Sequence, residues 1–216
     1  MRQEAPSLEL FPHDRVVFFS DAVFAIAMTL LAIEIRPPAH ELIERIGAGQ
    51  AWAQMIPLFI AYVISFLVLG IYWVGHMRTW ALAKRATPKL VWLNILQLMF
   101  VALVPFGTNQ YSEAFFHEMR VAFMVYCAIL SGIALCSLLL RRAVAAQEDL
   151  VARIGPQQAR WFQLQSLIPL LVFLAGIPAA AIGLPNWAGG WWFMLIWPLS
   201  AIARRWATRV TATGGD

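Results

Sequence analysis

The apolar positions of this chain fall into long unbroken blocks, not into the short alternations of a soluble sheet or the single-faced stripes of a surface helix. With a window of about 19 residues and a need for roughly 20 apolar residues per bilayer crossing, six blocks stand out, near residues 16–35, 52–76, 89–108, 119–140, 161–183 and 187–203. The last is the shortest. None shows the dyad alternation of an outer-membrane barrel strand, and a helix meets its backbone hydrogen bonds within itself in hydrocarbon. The pattern predicts an all-α integral membrane protein with six transmembrane helices. Prolines 57, 88, 105 and 185 lie near block ends, where a missing N–H costs little, whereas Pro169 and Pro178 fall inside the fifth block and predict a bend there.

Composition agrees about the solvent. Hydrophobic residues make up 61% of the 216-residue chain and charged residues 13%, with a mean hydropathy of +0.68, against roughly half apolar and about a quarter charged in a soluble domain. No Gly/Ser/Pro-rich linker or low-complexity tract divides the chain, so residues 1–216 read as one six-helix domain. The first block is longer than the 7–15 residues of a signal-peptide core, and its small-x-small triplet Ala25-Ile26-Ala27 sits in mid-block, so the segment reads as retained. Cys127 and Cys136 share one helical block at a spacing of about 13 Å, beyond disulfide reach.

The basic residues orient the chain. With the N-terminus inside and six crossings, thirteen of the sixteen Lys and Arg residues fall in inner segments and only Arg36, Arg45 and Arg120 in outer ones. That bias predicts both termini at the cytoplasm and a multi-pass protein of the cell (inner) membrane. The net charge of +4 is thus a topology signal with some attraction to anionic lipid heads, rather than a nucleic-acid surface.

The first block, RVVFFSDAVFAIAMTLLAIEIR from Arg15 to Arg36, carries Asp21 well inside it. On a wheel of about 100° per residue with Ile26 at zero, Leu30 lies at about +40°, Ile33 at about −20°, Phe19 at about +20°, Ala22 at about −40° and Thr29 at about −60°. These form one stripe, apolar apart from Thr29. Asp21 falls at about −140° and Ser20 at about +120°, turned away from it, whereas Arg15 falls at about −20°, toward it.

A carboxylate at membrane depth needs a partner. The second block ends IYWVGHMR, with Trp73 and His76 on adjacent turns, and the third opens KLVWLNILQLMF, with Asn94 about one turn inside. Matching depths nominate His76 and Asn94 as donors to Asp21. Structural glue is the first reading of Asp21, and a proton-relay carboxylate the second. Glu34 and Arg36, at the outer end, suit either a charge ring that concentrates cations or a simple anchor. The Trp-rich stretch NWAGGWWFMLIW reads as an interfacial belt.

Arg15-x-x-x-Phe19-Ser20-Asp21 followed by AVFAIAMTLLAIEI resembles the first-helix signature of the prokaryotic branch of the transmembrane protein 175 family of potassium channels. Trp73-x-x-His76 and Asn94 resemble further marked positions, and the match is strongest over 15–36 and moderate over 73–105. The chain carries one such motif, so the resemblance implies a homotetramer whose central pore is lined by four first helices. It further implies that Ile26 forms the narrowest hydrophobic ring, with rings at Leu30 and Ile33, and that Thr29 bears on cation preference. Arg15, Phe19, Ser20 and Asp21, together with Trp73, His76 and Asn94, would form a structural polar network behind the pore.

Nothing points to catalysis, since the chain has no GxSxG elbow, HExxH motif or phosphate-cradling glycine loop. His13, His40, His76 and His117 have no metal spacing, and neither a metal nor a cofactor is expected. No TVGYG-like filter is present. The function read from the chain is therefore a passive, potassium-permeable cation channel with modest K⁺ over Na⁺ selectivity, with K⁺, other monovalent cations and membrane lipids as partners. The alternative is a proton channel or proton-coupled transporter that uses Asp21 as a relay.

Overall fold

The computed structural model describes residues 11–113, 119–147, 154–183, 192–196 and 198–203. Its helices are α1 (His13–Ile33), α2 (His40–Ile46), α3 (Ala48–Ala53), α4 (Ile56–Leu82), α5 (Pro88–Glu113), α6 (Met119–Gln147), α7 (Pro156–Leu164) and α8 (Leu167–Ala181), followed by a 3-10 turn at Phe193–Leu195. No strand occurs among the described residues. Five segments are long and apolar enough to cross a membrane: His13–Ile33, Ala48–Leu82, Pro88–Ser112, Arg120–Ala146 and Pro156–Ala181. They coincide with the first five apolar blocks. Of the sixth block, 187–203, residues 187–191 and 197 lie outside the described residues, and the rest comprises the 3-10 turn, its flanking positions and helical residues 198–203.

Several helices overrun the blocks that announced them. The second block ends at 76 but α4 reaches Leu82, and the fourth ends at 140 but α6 reaches Gln147. Hydropathy detects only the part of a helix that needs lipid, while backbone hydrogen bonding carries the helix on through polar interfacial residues. Pro57 and Pro88 stand in the first turns of α4 and α5, where their missing N–H groups have no intrahelical partner to lose. Pro105 differs from expectation, because it sits inside α5, which runs eight residues past it. A transmembrane helix tolerates this where its neighbours cover the freed carbonyl.

The bend in the fifth block is an interruption between α7 and α8 at Gln165 and Ser166, both of which keep right-handed helical backbone angles. Pro169 explains its position, because its ring would clash with the carbonyl four residues earlier, that of Gln165. Pro178, by contrast, is accommodated within α8. The helix stops at Gly183, whose φ of +92° and N–H bond to Ala180 at 3.1 Å make a left-handed C-terminal turn.

α6 is the centre of the bundle and is mostly buried along its length, whereas α1 and α4 are largely exposed. It packs on α5 along one side and α8 along the other, and α1 lies against α5 and α4. Side chains of the neighbouring helix pack directly on the bare backbone at Gly107 and Gly132: a Cβ on the latter would stand 2.5 Å from the Phe100 ring. Small residues at such crossings are what lets membrane helices gain dispersion contact, since lipid supplies no hydrophobic drive to bring them together.

Candidate functional site

α1 divides along its length into two faces. Ser20, Phe24, Ala27 and Leu31 are buried against the neighbouring helices. On the other side Phe19 is 58% exposed, Ile26 58%, Leu30 40% and Ile33 68%, and Ala22 and Thr29 are exposed with them. This uncovered strip is the stripe that the helical wheel picks out. Ile26 and Ile33 are seven residues apart, so the three large aliphatic side chains occupy about 10 Å of helix axis. The Thr29 hydroxyl donates back to the carbonyl of Ile26 at 2.8 Å, which leaves its oxygen lone pairs on the exposed face.

The back of α1 is held by polar bonds to two helices. The Trp73 indole N–H on α4 donates to an Asp21 carboxylate oxygen at 2.9 Å. The Asn94 amide on α5 donates to the Ser20 hydroxyl at 2.9 Å, and that hydroxyl donates to the Val16 carbonyl at 2.8 Å. At the foot of the helix, the His13 ring packs edge-on against Trp80 with centroids 5.5 Å apart, and its Nε2 is 3.1 Å from the Trp80 carbonyl. The orientation of α1 is thereby decided. Turning the helix by half would expose the Asp21 carboxylate at membrane depth, at a cost of about 2.5–3.5 kcal/mol, whereas the aliphatic strip is as content in lipid as in protein.

The pairing differs from expectation in one respect. Asp21 takes its hydrogen bond from Trp73, not from His76 or Asn94. His76, 4% exposed, instead directs Nδ1 to Gln97 Oε1 at 3.3 Å, and the Gln97 amide donates to Ser137 on α6 at 2.8 Å. Its ring also packs on Phe24 of α1 at 5.4 Å. The depths match as the sequence implied, but the rotation of α4 about its own axis decides which of its polar groups reaches the carboxylate, and Trp73 has the longer arm. Arg15 and Phe19 take no part in these bonds within the subunit: both are exposed on the open side of α1, as the wheel angle of Arg15 required.

Two polar groups escaped the sequence reading. Gln97 stands three residues after Asn94, on the same face of α5, and links α4 to α6. That i, i+3 spacing was the available signal. Farther along the bundle, the Ser65 hydroxyl lies 2.7 Å from the Tyr126 phenol and 2.8 Å from the Thr108 hydroxyl, joining α4, α5 and α6. Arg141, counted by sequence among the inner-surface cations, is 6% exposed. Its guanidinium donates to the carbonyls of Phe162 and Gly75, both at 3.3 Å.

Comparison with known proteins places this arrangement. Residues 15–105 match the family described as endosomal/lysosomal potassium channel TMEM175, a stretch that runs from the RxxxFSD motif to Pro105 in α5. A potassium channel of Chamaesiphon minutus is 36% identical over 140 residues, covering 64% of this chain and 69% of that one. A potassium channel of Streptomyces collinus is 41% identical over 127 residues, 56% of this chain and 59% of its own. The endosomal/lysosomal proton channel TMEM175 of Bos taurus is 34% identical over 143 residues, 58% of this chain but 30% of the bovine protein. The fold matches the crystal structure of a lysosomal potassium-selective channel TMEM175 homolog from Chamaesiphon minutus with a TM-score of 0.72 at 30% identity, over 89% of this chain and 97% of that one. Matched in sequence through the first helix and its polar supports, and in fold along nearly the whole of a solved relative, this multi-pass membrane protein belongs to the TMEM175 family.

Proposed function

We propose that the protein is a potassium-permeable cation channel, built as a homotetramer in which four α1 helices present Ile26, Leu30 and Ile33 to a central pore. The observation that carries this reading is the uncovered aliphatic strip on a helix whose polar residues are tied down behind it. The family to which the chain belongs, and the bacterial relatives named potassium channels, supply the ion. One subunit holds one such helix, so a closed ring of copies is the geometry that turns a strip into a conduit.

A ring of isoleucines offers an ion no ligands. It conducts when water wets it, and it discriminates by diameter and by the work of stripping hydration, so selectivity for K⁺ over Na⁺ is modest. Thr29, whose hydroxyl oxygen faces the strip beside Ile26 and Leu30, is the polar group placed to favour one partly dehydrated cation over another. No cofactor enters this scheme. The protein sits in the cell (inner) membrane with both termini in the cytoplasm, as the distribution of Lys and Arg supports.

The second reading, proton passage, is favoured by the name of the bovine relative and by Asp21. A Trp indole only donates, so the Trp73 bond fixes the carboxylate without giving it a proton to receive, which suits a wall support better than a relay. Flux from liposomes holding the purified protein separates the readings. A channel passes K⁺ down its gradient with no co-substrate. Flux of protons alone, or K⁺ movement that requires a proton gradient, would contradict it.

A further inference from the structure

α4 carries the Trp73 indole that holds Asp21 and the His76 ring that packs on Phe24. The rotation and height of α4 therefore set where the back of α1 sits. Yet α4 itself is loosely packed along part of its length, because a cavity of about 1050 Å³ lies beside it, lined by Ile71 and Gly75 of α4, Ser137 and Arg141 of α6 and Phe173 of α8. A helix wall that faces a void has no partner atoms there, so dispersion contact does little to fix it. Polar bonds have to supply what packing does not.

Arg141 supplies one directly. Its Nη2 donates to the Gly75 carbonyl at 3.3 Å, while its Nη1 donates to the Phe162 carbonyl of α7 at 3.3 Å and the guanidinium lies 5.0 Å from the centre of the Phe162 ring. Gly75 falls between Trp73 and His76, and a Cβ on it would stand 2.9 Å from Nη2, so the bare backbone is what admits the guanidinium. One turn earlier on α6, Ser137 reaches the same stretch of α4 through Gln97 and His76. A buried guanidinium is expensive, and a well-packed aliphatic side chain in its place would stabilise the subunit about as well. What an aliphatic side chain cannot do is hold carbonyls of two helices at a set angle, as the rigid fork of an arginine does.

We infer that Arg141 is a positioning residue for the pore: its guanidinium, seated at Gly75, sets the rotation of α4 and, through Trp73 and His76, the diameter of the ring that Ile26 forms. The inference rests on the channel reading given above. Arg141 touches no ion and acts only through α4 and the back of α1. A hydrophobic constriction discriminates by diameter, so a small rotation of α1 alters ion preference in protein that is still assembled.

Reversal potentials under a K⁺/Na⁺ gradient, recorded from assembled full-length protein isolated by size-exclusion chromatography, test this with two variants that disturb one contact from opposite sides. Arg141→Lys keeps the charge but replaces the fork by a single ammonium, and Gly75→Ala keeps Arg141 while placing a methyl group in its seat. Each should move the reversal potential toward zero, with a fall of at least about twofold in the preference for K⁺, the low end of coupling carried through packed side chains. The double variant should go no further than the larger single effect. Arg142→Gln removes an exposed charge from the next position on α6 and should keep the wild-type value. Wild-type preference in either single variant that assembles, additive shifts, or an equal shift in Arg142→Gln would overturn the assignment. Loss of assembled protein in both single variants would overturn it too, since the contact would then be a requirement of the fold and not a setting of the pore. Wild-type protein that passes no K⁺ would instead contradict the channel reading.

Discussion

The indole nitrogen of Trp73 and a carboxylate oxygen of Asp21 meet at 2.9 Å, and this bond joins α4 to the back of α1. It accounts for an acid in the middle of an apolar crossing. The carboxylate is turned away from Ile26, Leu30 and Ile33, so the least polar strip of the helix is the one left uncovered, and in the proposed channel the charged residue supports the wall behind it.

Removing either member of that pair should weaken the wall rather than change the ion. In a double-mutant cycle of Trp73→Phe and Asp21→Asn, read by thermal stability of the detergent-solubilised protein, the two effects should couple by about 1 kcal/mol. Full additivity would show that the bond carries no stability. A Trp73→Phe protein that stays fully assembled but gains pH-dependent conduction would move Asp21 to the permeation path.

Gln97 bridges His76 and Ser137 across three helices. Gln97→Leu should therefore strip buried groups on both α4 and α6 of their partner and cost about 1–3 kcal/mol. Asn94→Leu leaves the Ser20 hydroxyl its bond to Val16, so its cost should be smaller. Chemical denaturation in detergent ranks the two, and the reverse order would contradict the network as drawn.

The α5–α6 contact includes a bare backbone at Gly132, where an added Cβ would stand 2.5 Å from the partly buried Phe100 ring, so that the ring would have to shift. Gly132→Ala should lose about 1–3 kcal/mol, and Phe100→Leu in the same chain should recover part of it. Gly49→Ala, where the added carbon meets nothing within 4 Å, is the neutral control for the thermal-shift measurement.

Much of this was legible in the chain because lipid is a strict solvent. It demands apolar runs of a set length, so five crossings could be read from hydropathy alone, and it allows a buried charge only on a face with partners, so the wheel put Asp21 and Ser20 behind the aliphatic stripe. What stayed hidden depends on rotation and reach. Trp73 and His76 lie on adjacent turns of α4, and only the packed bundle shows that the indole takes the carboxylate while the imidazole goes to Gln97. Arg141 read as an interfacial cation because charge counting knows nothing of α7, which is set off from α8 at Gln165 and folds its Phe162 carbonyl over the guanidinium.

The central claim is that ions pass along the exposed strip of α1, and the reversal potential of Ile26→Asn under a K⁺/Na⁺ gradient tests it most directly, with Leu31→Asn on the buried face of the same helix as its counterpart. An amide at position 26 should ease wetting of the constriction, raise the current and move the reversal potential toward zero as the preference for K⁺ falls, whereas Leu31→Asn should reduce assembled protein and leave the ion preference of what remains unchanged. A wild-type current and reversal potential in Ile26→Asn would contradict the account.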